Sequence, residues 1–192
     1  MTPIKGMLNI ATPWQSHWRA ELIGTLVLLV DPPRVLLIEK LTGHGKGKIN
    51  APGGKWETGE SLRECARREL REETGLAVES LRCRAELRFV EEDGPQWLGY
   101  VFVADRYTGT LTNTPEANPF WCLVDAIPYQ DMWADDEIWL PAVLDRCLVS
   151  CETEENPLVY DFLFNGGELL KTEQSPATDF SLNIDLPRSG NV

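Results

Sequence analysis

The residues best suited to metal chemistry in this sequence lie between positions 53 and 76. Glu69, Glu72 and Glu73 have i, i+3 and i+4 spacing, so a helix would place their carboxylates on one strip of its surface. Like charges at this spacing repel one another, whereas a divalent cation is bound by several hard carboxylate oxygens. The spacing therefore predicts a metal site, and the alternative is a solvated charged helix with no ligand.

The same stretch carries the signals that begin and end a helix. Ser61 and Glu64 have the spacing of a capping box, and Gly75 stands where a helix commonly ends. Between these signals, apolar residues recur at four-residue intervals, at Leu62, Ala66 and Leu70. This pattern predicts a helix with one apolar stripe that faces a core.

The spacing of glycines and charged residues in this stretch resembles the Nudix box. The order is Gly54, five residues, Glu60, seven residues, Arg68-Glu69-Leu70, one residue, Glu72-Glu73, one residue, Gly75-Leu76. Nudix hydrolases cleave nucleoside diphosphates that are linked to a further group. The resemblance implies an α/β fold, an α/β/α sandwich with a mixed β-sheet, and an enzyme that uses Mg²⁺ or alternatively Mn²⁺.

The resemblance also implies roles for individual residues. The implied metal ligands are the Gly54 carbonyl and the side chains of Glu69, Glu72, Glu73 and Glu116. Glu69 and Glu72 are the candidates for the general base that accepts a proton from water. Arg68 would orient the acidic group beside it, and Glu60 would brace Arg68.

The composition limits the class of protein. The chain has 192 residues, a net charge of -12 and a pI near 4.6, which argues against a broad basic face for a nucleic-acid polymer. Its five cysteines are odd in number and form no C-x-x-C pair, so we expect neither a zinc site nor a disulfide framework. A metal-bound small-molecule nucleotide, the partner that the Nudix resemblance implies, is compatible with this composition.

Targeting signals are the next feature to consider. Residues 1–20 have no apolar run followed by a small-residue cleavage site. The longest apolar run, from Leu22 to Val30, is far short of the ~20 residues that a membrane helix needs. We therefore expect a cytoplasmic monomer that binds no membrane.

The rest of the chain predicts one domain with two tails. Strands are predicted at 26–30, 35–38, 81–90, 97–103 and 158–164, and a second amphipathic helix at 135–148, with Pro141 near its start. We assign an N-terminal extension to residues 1–20, the Nudix domain to 21–168 and a flexible polar tail to 169–192. The predicted architecture is a sheet between helices.

A cationic loop precedes the carboxylate helix. Residues 40–56 contain no acidic residue and combine four lysines with five glycines. Backbone N–H groups of such a loop can approach phosphate oxygens closely, and lysines add positive charge. We predict a phosphate site with Lys55 as its main side chain, and a mobile solvent loop is the alternative. His44 is predicted to be a loop residue rather than a ligand.

Two further stretches, 47–55 and 127–136, resemble the oxidised purine nucleoside triphosphatases of the Nudix family, also called 8-oxo-dGTP diphosphatases. The resemblance implies that the base is read by Asn50, Trp133, Asp135 and Asp136, with Thr25 and Lys40 at further pocket positions. An indole face stacks on purines, and an amide can pair with the edge of guanine. The alternative is that the aspartates cap the second helix while Trp133 packs against it.

The implied reaction is Mg²⁺-dependent hydrolysis of oxidised purine nucleoside triphosphates, such as 8-oxo-dGTP or 2-hydroxy-dATP, to the monophosphate and pyrophosphate. This reaction would sanitise the nucleotide pool. Pro52 and Leu87 stand where that subgroup has aromatic residues, so the pocket is expected to differ in shape. The alternatives are a Nudix pyrophosphohydrolase for another nucleoside diphosphate derivative and a non-catalytic nucleotide-binding module.

Overall fold

The computed structural model describes residues 19–91, 94–150 and 156–175. The strands are β1 (Leu22–Asp31), β2 (Arg34–Lys40), β3 (Ile49–Asn50), β4 (Gly53–Lys55), β5 (Leu76–Ala77), β6 (Arg82–Glu91), β7 (Trp97–Ala104), β8 (Thr108–Gly109), β9 (Ala117–Leu123), β10 (Leu158–Asn165) and β11 (Glu168–Ser175). The α-helices are α1 (Leu62–Thr74) and α2 (Asp136–Ser150). The predicted extension at 1–20 lies outside the described residues except for its last two.

A mixed sheet forms the centre of the domain. Its strand order is β11-β10-β6-β7-β1-β2-β3, and β4 and β9 pair with β1 and β2. The β1–β7 and β6–β10 pairs are parallel, and the β1–β4 pair is antiparallel. Because β4 pairs with β1, Gly54 lies opposite Thr25 at the centre of the sheet. The short β4 thus fixes the point from which the chain enters α1.

One helix covers each face of this sheet. Successive residues of β1 alternate between two apolar clusters, with Val27 in one and Leu28 in the other. Helix α1 contributes Leu62, Ala66 and Leu70 to the first cluster. Helix α2 contributes Trp139, Leu140, Val143, Leu144 and Cys147 to the second. The α/β sandwich with a mixed sheet is therefore confirmed.

The C-terminal boundary differs from the prediction. Residues 169–175 were assigned to a flexible tail, whereas β11 continues the sheet to Ser175 by antiparallel pairing with β10. Gly166 and Gly167, both with positive φ, reverse the chain between the two strands. An edge strand needs little apolar sequence because its backbone pairs on one side and much of it faces solvent. The rest of the predicted tail, 176–192, lies outside the described residues.

Candidate active site

Helix α1 begins and ends where the sequence predicts. The Ser61 side chain accepts a hydrogen bond from the Glu64 N–H, and the Glu64 carboxylate accepts one from the Ser61 N–H, so the capping box is complete. At the other end, Gly75 adopts φ 75°, and its N–H donates to the Arg71 carbonyl. These caps fix the register of every carboxylate on the helix.

Arg68 organises the exposed side of the helix. Its guanidinium donates to both oxygens of Glu60, at 2.7 and 3.1 Å, and through Nη1 to Glu69 at 2.8 Å and Glu72 at 3.2 Å. It also donates to the Lys55 carbonyl at 3.1 Å, which ties α1 to the end of β4. Burial opposes ionisation of Glu60, but Arg68 outweighs it and lowers the pKa of that carboxyl. This geometry supports the predicted bracing of Arg68 by Glu60.

Glu69 rests directly against the backbone of β4. A Cβ on Gly54 would lie 2.5 Å from Glu69 Oε1 and would overlap the rest of the carboxylate, so only glycine leaves room for it. Burial raises the pKa of Glu69, although Arg68 opposes this shift. A carboxylate with a raised pKa that is held in place accepts a proton more readily than an ordinary surface glutamate.

The Glu73 side chain does not contact Arg68 and points into the protein. Its side chain is 0% exposed, and its two oxygens accept from Lys40 Nζ at 2.9 Å and from the Gly53 N–H at 2.8 Å. Burial raises the pKa of Glu73, and the Lys40 ammonium opposes the shift. Lys40 was predicted at a base-pocket position, but its ammonium is committed to Glu73 and the Gly53 carbonyl. The buried carboxylate attracts the lysine, and the base-pocket role of Lys40 stays a prediction.

The backbone carbonyl that faces this pair belongs to Gly53. The Gly54 oxygen, predicted as a metal ligand, lies 2.9 Å from where a Cβ on Gly24 would stand, so it is turned toward β1. The Gly53 oxygen instead accepts from Lys40 Nζ at 3.3 Å, beside Glu73. Antiparallel pairing of β4 with β1 alternates the direction of successive carbonyls and explains this difference.

Replacing Glu73 tests the buried pair. Glu73→Gln is expected to lower the free energy of unfolding by about 2 kcal/mol, because it removes a charge-assisted hydrogen bond and leaves Lys40 poorly paired. Urea unfolding of both proteins measures this difference. Glu72→Gln is the matched control, since the Glu72 side chain is 53% exposed and should change stability by less than about 0.5 kcal/mol. Equal stabilities of the two variants would contradict a structural role for the pair.

The predicted metal ligands are adjacent but do not converge on one point. In residues 19–91, 94–150 and 156–175, no three His, Cys, Asp or Glu side chains form a group that could hold a metal ion. The guanidinium of Arg68 and the ammonium of Lys40 supply the countercharge instead. Each carboxylate oxygen still has a second lone pair, and hard oxygen donors are the set that Mg²⁺ prefers. The chemistry of the donor set therefore fits a divalent cation.

Glu116 comes from a separate part of the chain. It immediately precedes β9, and its carbonyl accepts from the Leu41 N–H at 2.8 Å. The next residue, Ala117, pairs with Lys40 across the β2–β9 ladder. The fold thus brings the exposed Glu116 next to the strand end that carries the ammonium bound to Glu73.

The side chain of Thr25 on β1 faces helix α1. Its side chain is buried, and Oγ1 lies 3.4 Å from the Sγ of Cys65 on α1. Burial raises the pKa of the Cys65 thiol to about 12, so this contact involves a neutral thiol. Strand alternation turns the Thr25 side chain toward α1, and its predicted base-pocket role stays a prediction.

The remaining base-pocket candidates have local contacts of their own. Asn50 is half-buried, and its Oδ1 accepts from the Ala51 N–H at 2.8 Å. Trp133 is partly buried, and the ammonium of Lys48 lies 4.8 Å from its ring centroid while also donating to the Met132 carbonyl. A cation over an indole fixes the ring orientation and adds positive charge near it.

Asp135 and Asp136 are both buried and accept hydrogen bonds from nearby groups. Asp135 Oδ2 accepts from the Trp139 indole N–H at 3.1 Å, and Asp136 Oδ2 accepts from the Trp133 N–H at 2.9 Å. Burial raises the pKa of both carboxyls, and the charge of Asp135 raises that of Asp136 further. The pair therefore favours a state in which one group carries a proton. Both aspartates also make these contacts at the start of α2, as expected if they cap this helix.

The sequence model of the NUDIX domain matches residues 21–143. Over 123 residues, the chain is 43% identical to the oxidized purine nucleoside triphosphate hydrolase of Danio rerio, covering 64% of this chain and 79% of that protein. The Mus musculus protein of the same name is 41% identical over the same lengths. A MutT protein from Bacillus halodurans has a similar structure, with TM-score 0.67 and 28% identity, covering 81% of this chain and 98% of that one.

The chain belongs to the Nudix hydrolase family. Its Nudix box, residues 54–76, thus runs from the centre of the sheet through α1 to β5. Nudix hydrolases generally use divalent metals such as Mg²⁺. The oxygen-rich set around Arg68 and Lys40 is the part of this Nudix domain whose chemistry suits such a metal.

His44, which lies outside the predicted base-reading set, stacks on both Trp133 and a further aromatic residue, Trp97. The His44 ring stacks on Trp133 with a centroid distance of 5.0 Å and on Trp97 with one of 5.4 Å. Lys55, predicted to bind phosphate, places its ammonium 5.3 Å from the Trp97 centroid. From the sequence, His44 was predicted to be a loop residue rather than a ligand, and Trp97 was predicted only to begin a strand. The one available signal was the placement of His44 between two glycines in the cationic loop.

A cavity of about 550 Å³ opens on one side of Trp133. Its lining comprises Lys48, Tyr129, Gln130, Met132, Trp133, Ala134, Glu137 and Gly167. Among the described residues predicted to read the base, Trp133 alone lines it, so the cavity does not coincide with the set that includes Asn50 and the two aspartates.

Within the described residues, no helix combines sufficient length with sufficient apolar character to cross a bilayer.

Proposed function

We propose that this Nudix hydrolase cleaves oxidised purine nucleoside triphosphates, such as 8-oxo-dGTP or 2-hydroxy-dATP, to the monophosphate and pyrophosphate with Mg²⁺. The observation that carries the proposal is that the loop of residues 41–48 connects two complementary sets of groups, since Lys40 just before it pairs with Glu73 and Lys48 at its end lies over Trp133. On one side are the carboxylates held by Arg68 and Lys40, and on the other is Trp133 with its buried aspartates. The relatives from Danio rerio and Mus musculus are named oxidized purine nucleoside triphosphate hydrolases.

The metal shell is proposed from the oxygen donors around the helix. Glu69, Glu72, Glu73 and Glu116 are the side chains proposed to hold Mg²⁺, with the Gly53 carbonyl as the backbone donor in place of the Gly54 carbonyl. A bound Mg²⁺ would neutralise phosphate charge and lower the pKa of the attacking water. Lys40 limits the negative charge at this site before the metal binds, since it already pairs with Glu73.

The chain's own groups position the reacting water and the phosphates. Glu69 is proposed to accept the proton from water through an oxygen that the metal does not engage, because Arg68 holds its carboxylate and the carboxylate packs against Gly54. Glu72 is the second candidate for this role. Arg68 orients both carboxylates, and Lys55 is proposed to bind phosphate once its ammonium leaves the face of Trp97.

The purine edge is proposed to be read by Asn50, Asp135 and Asp136. If Asp136 carries the shared proton, it can donate a hydrogen bond while Asp135 accepts one. Such a pair can match the altered donor and acceptor pattern that oxidation creates on a purine. The cytoplasmic location and monomeric state expected from the sequence remain predictions.

Removing the aromatic face is expected to weaken substrate binding. Trp133→Ala should raise KM about tenfold, since stacking of one base on an aromatic side chain contributes ~1–3 kcal/mol. Steady-state hydrolysis of 8-oxo-dGTP measures this effect. Trp133→Phe is the matched variant and should recover much of the loss. An unchanged KM for Trp133→Ala would assign Trp133 to packing alone.

Hydrolysis in ¹⁸O-labelled water tests the proposed reaction. Attack of water on the β-phosphorus transfers the label to pyrophosphate and leaves the nucleoside monophosphate unlabelled. Mass spectrometry of the two products distinguishes this outcome from attack on the α-phosphorus. Label in the monophosphate would contradict the proposed site of attack, and failure to release pyrophosphate from 8-oxo-dGTP with Mg²⁺ would contradict the function.

A further inference from the structure

The His44 imidazole covers aromatic surface that a nucleotide base could use. It lies nearly parallel to both indoles, with interplanar angles of 13° to Trp133 and 21° to Trp97. His44 is itself exposed and belongs to the loop before β3. An exposed loop residue thus contacts partly buried rings from two distant parts of the chain.

The charges around His44 favour its neutral form. Burial against the indoles lowers the pKa of the imidazole, and the ammonium groups of Lys55 and Lys40 lower it further. Lys48 and Lys55 lie over the faces of Trp133 and Trp97. A neutral aromatic ring can stack among these cations without the repulsion that an imidazolium would meet.

The loop that carries His44 turns at the two glycines on either side of it. The flanking glycines, Gly43 and Gly45, have φ angles of 68° and 81°, which is the left-handed region that glycine enters at little cost. A Cβ on Gly43 would meet no heavy atom within 4 Å, whereas one on Gly45 would lie 3.3 Å from Trp133. The Gly43 and Gly45 carbonyls accept from the Lys46 and Lys48 N–H groups at 3.3 and 2.9 Å, so backbone hydrogen bonds hold the turn, while stacking on the two indoles orients the His44 side chain.

The imidazole ring of His44, which lies on the two indoles, indicates which class of ligand this surface can bind. A purine is an imidazole ring fused to a pyrimidine ring, so a surface that stacks neutral imidazole also stacks a purine and offers it more contact area. We propose that His44 occupies the stacking site of the substrate base, that Trp97 is a second aromatic wall of this site, and that a purine displaces His44 when it binds. This inference rests on the proposed function and adds a displaceable residue and a wall to its base site.

Two consequences follow for binding. His44 competes with the base, so its removal strengthens binding instead of weakening it. A pyrimidine lacks the imidazole ring and has less area with which to replace His44, so the site favours purines over pyrimidines before any hydrogen bond is considered.

Calorimetric titration with 8-oxo-dGMP, without metal, tests the competition. His44→Ala is expected to bind this nucleotide several-fold more tightly than the parent protein. Added imidazole should weaken binding to His44→Ala back toward the parent value, because the free ring replaces the missing side chain. Thr42→Ala, an exposed residue of the same loop, is the matched control and should leave the Kd unchanged.

Unchanged or weaker binding by His44→Ala, or no effect of imidazole on it, would overturn the displacement of His44. Trp97→Leu keeps apolar bulk at the start of β7 and removes the aromatic face, so it is expected to weaken binding several-fold. An unchanged Kd for Trp97→Leu would overturn its role as a wall. Because 8-oxo-dGMP has no anhydride to cleave, these titrations remain informative even if hydrolysis of 8-oxo-dGTP is not observed.

Discussion

Glu69→Gln is expected to reduce kcat for 8-oxo-dGTP by a factor of roughly 10² to 10⁴, the range typical for loss of a positioned general base. The glutamine keeps the size of the side chain but cannot accept the proton from water. It also removes one negative charge from the proposed Mg²⁺ site, so the Mg²⁺ concentration needed for half-maximal rate should rise. Steady-state rates measured over a Mg²⁺ titration separate these two effects.

Glu57→Gln is the matched control for this experiment. Glu57 is exposed, lies outside α1 and is not among the proposed ligands. Its replacement should leave kcat and the Mg²⁺ requirement within about twofold, as expected for a surface substitution with a free-energy effect below ~0.5 kcal/mol. If Glu69→Gln retained the parent kcat at saturating Mg²⁺, the proton would have to pass to another group, and Glu72 would be the next residue to replace.

Gly54→Ala is expected to lower kcat by about 100-fold, because it displaces a catalytic carboxylate without removing it. The new Cβ would overlap the Glu69 carboxylate and force it away from the position fixed by Arg68. A misplacement of about 1 Å in an active site can cost a factor of this size. Gly54 itself has no positive φ, so the backbone can accept alanine and the effect should come from Glu69.

Gly99→Ala is the control for the added methyl group. Its Cβ would lie 3.5 Å from Phe89, an ordinary contact distance, and Gly99 also has no positive φ. Measured kcat values for both variants test the overlap directly. A Gly54→Ala protein with parental kcat would mean that Glu69 can act from another position.

Local signals predicted the carboxylate helix in detail. The capping box of Ser61 with Glu64, the C-cap at Gly75 and the apolar stripe all depend on residues a few positions apart. The interaction of Glu60 with Arg68 followed from the box pattern itself. These features can be predicted from sequence because helix geometry determines which nearby residues are in contact.

Contacts between distant strands were less accessible from sequence. The pairing of Lys40 with Glu73 depends on the approach of β2 to α1, and the direction of the Gly54 carbonyl depends on the register of β4 against β1. The contact of Trp97 with His44 depends on where β7 begins beside β1. No local spacing rule gives these registers, since each is set by packing of the whole sheet.

Residues 169–175 were assigned to the flexible tail for a different reason. Polar composition indicated a segment with little to bury, and this is true of most of β11. An edge strand is nevertheless stabilised by backbone hydrogen bonds to its neighbour, here β10, whatever the composition of its exposed face. Composition alone does not distinguish such a strand from a flexible tail.

This Nudix domain is proposed to select oxidised purine nucleoside triphosphates. The most direct test is pyrophosphate release with Mg²⁺ from 8-oxo-dGTP, 2-hydroxy-dATP, dGTP, dATP and dCTP, compared as kcat/KM. We predict the highest values for the two oxidised purines, lower values for dGTP and dATP, and the lowest for dCTP. Equal kcat/KM for all five nucleotides, or release from none of them, would contradict the claim.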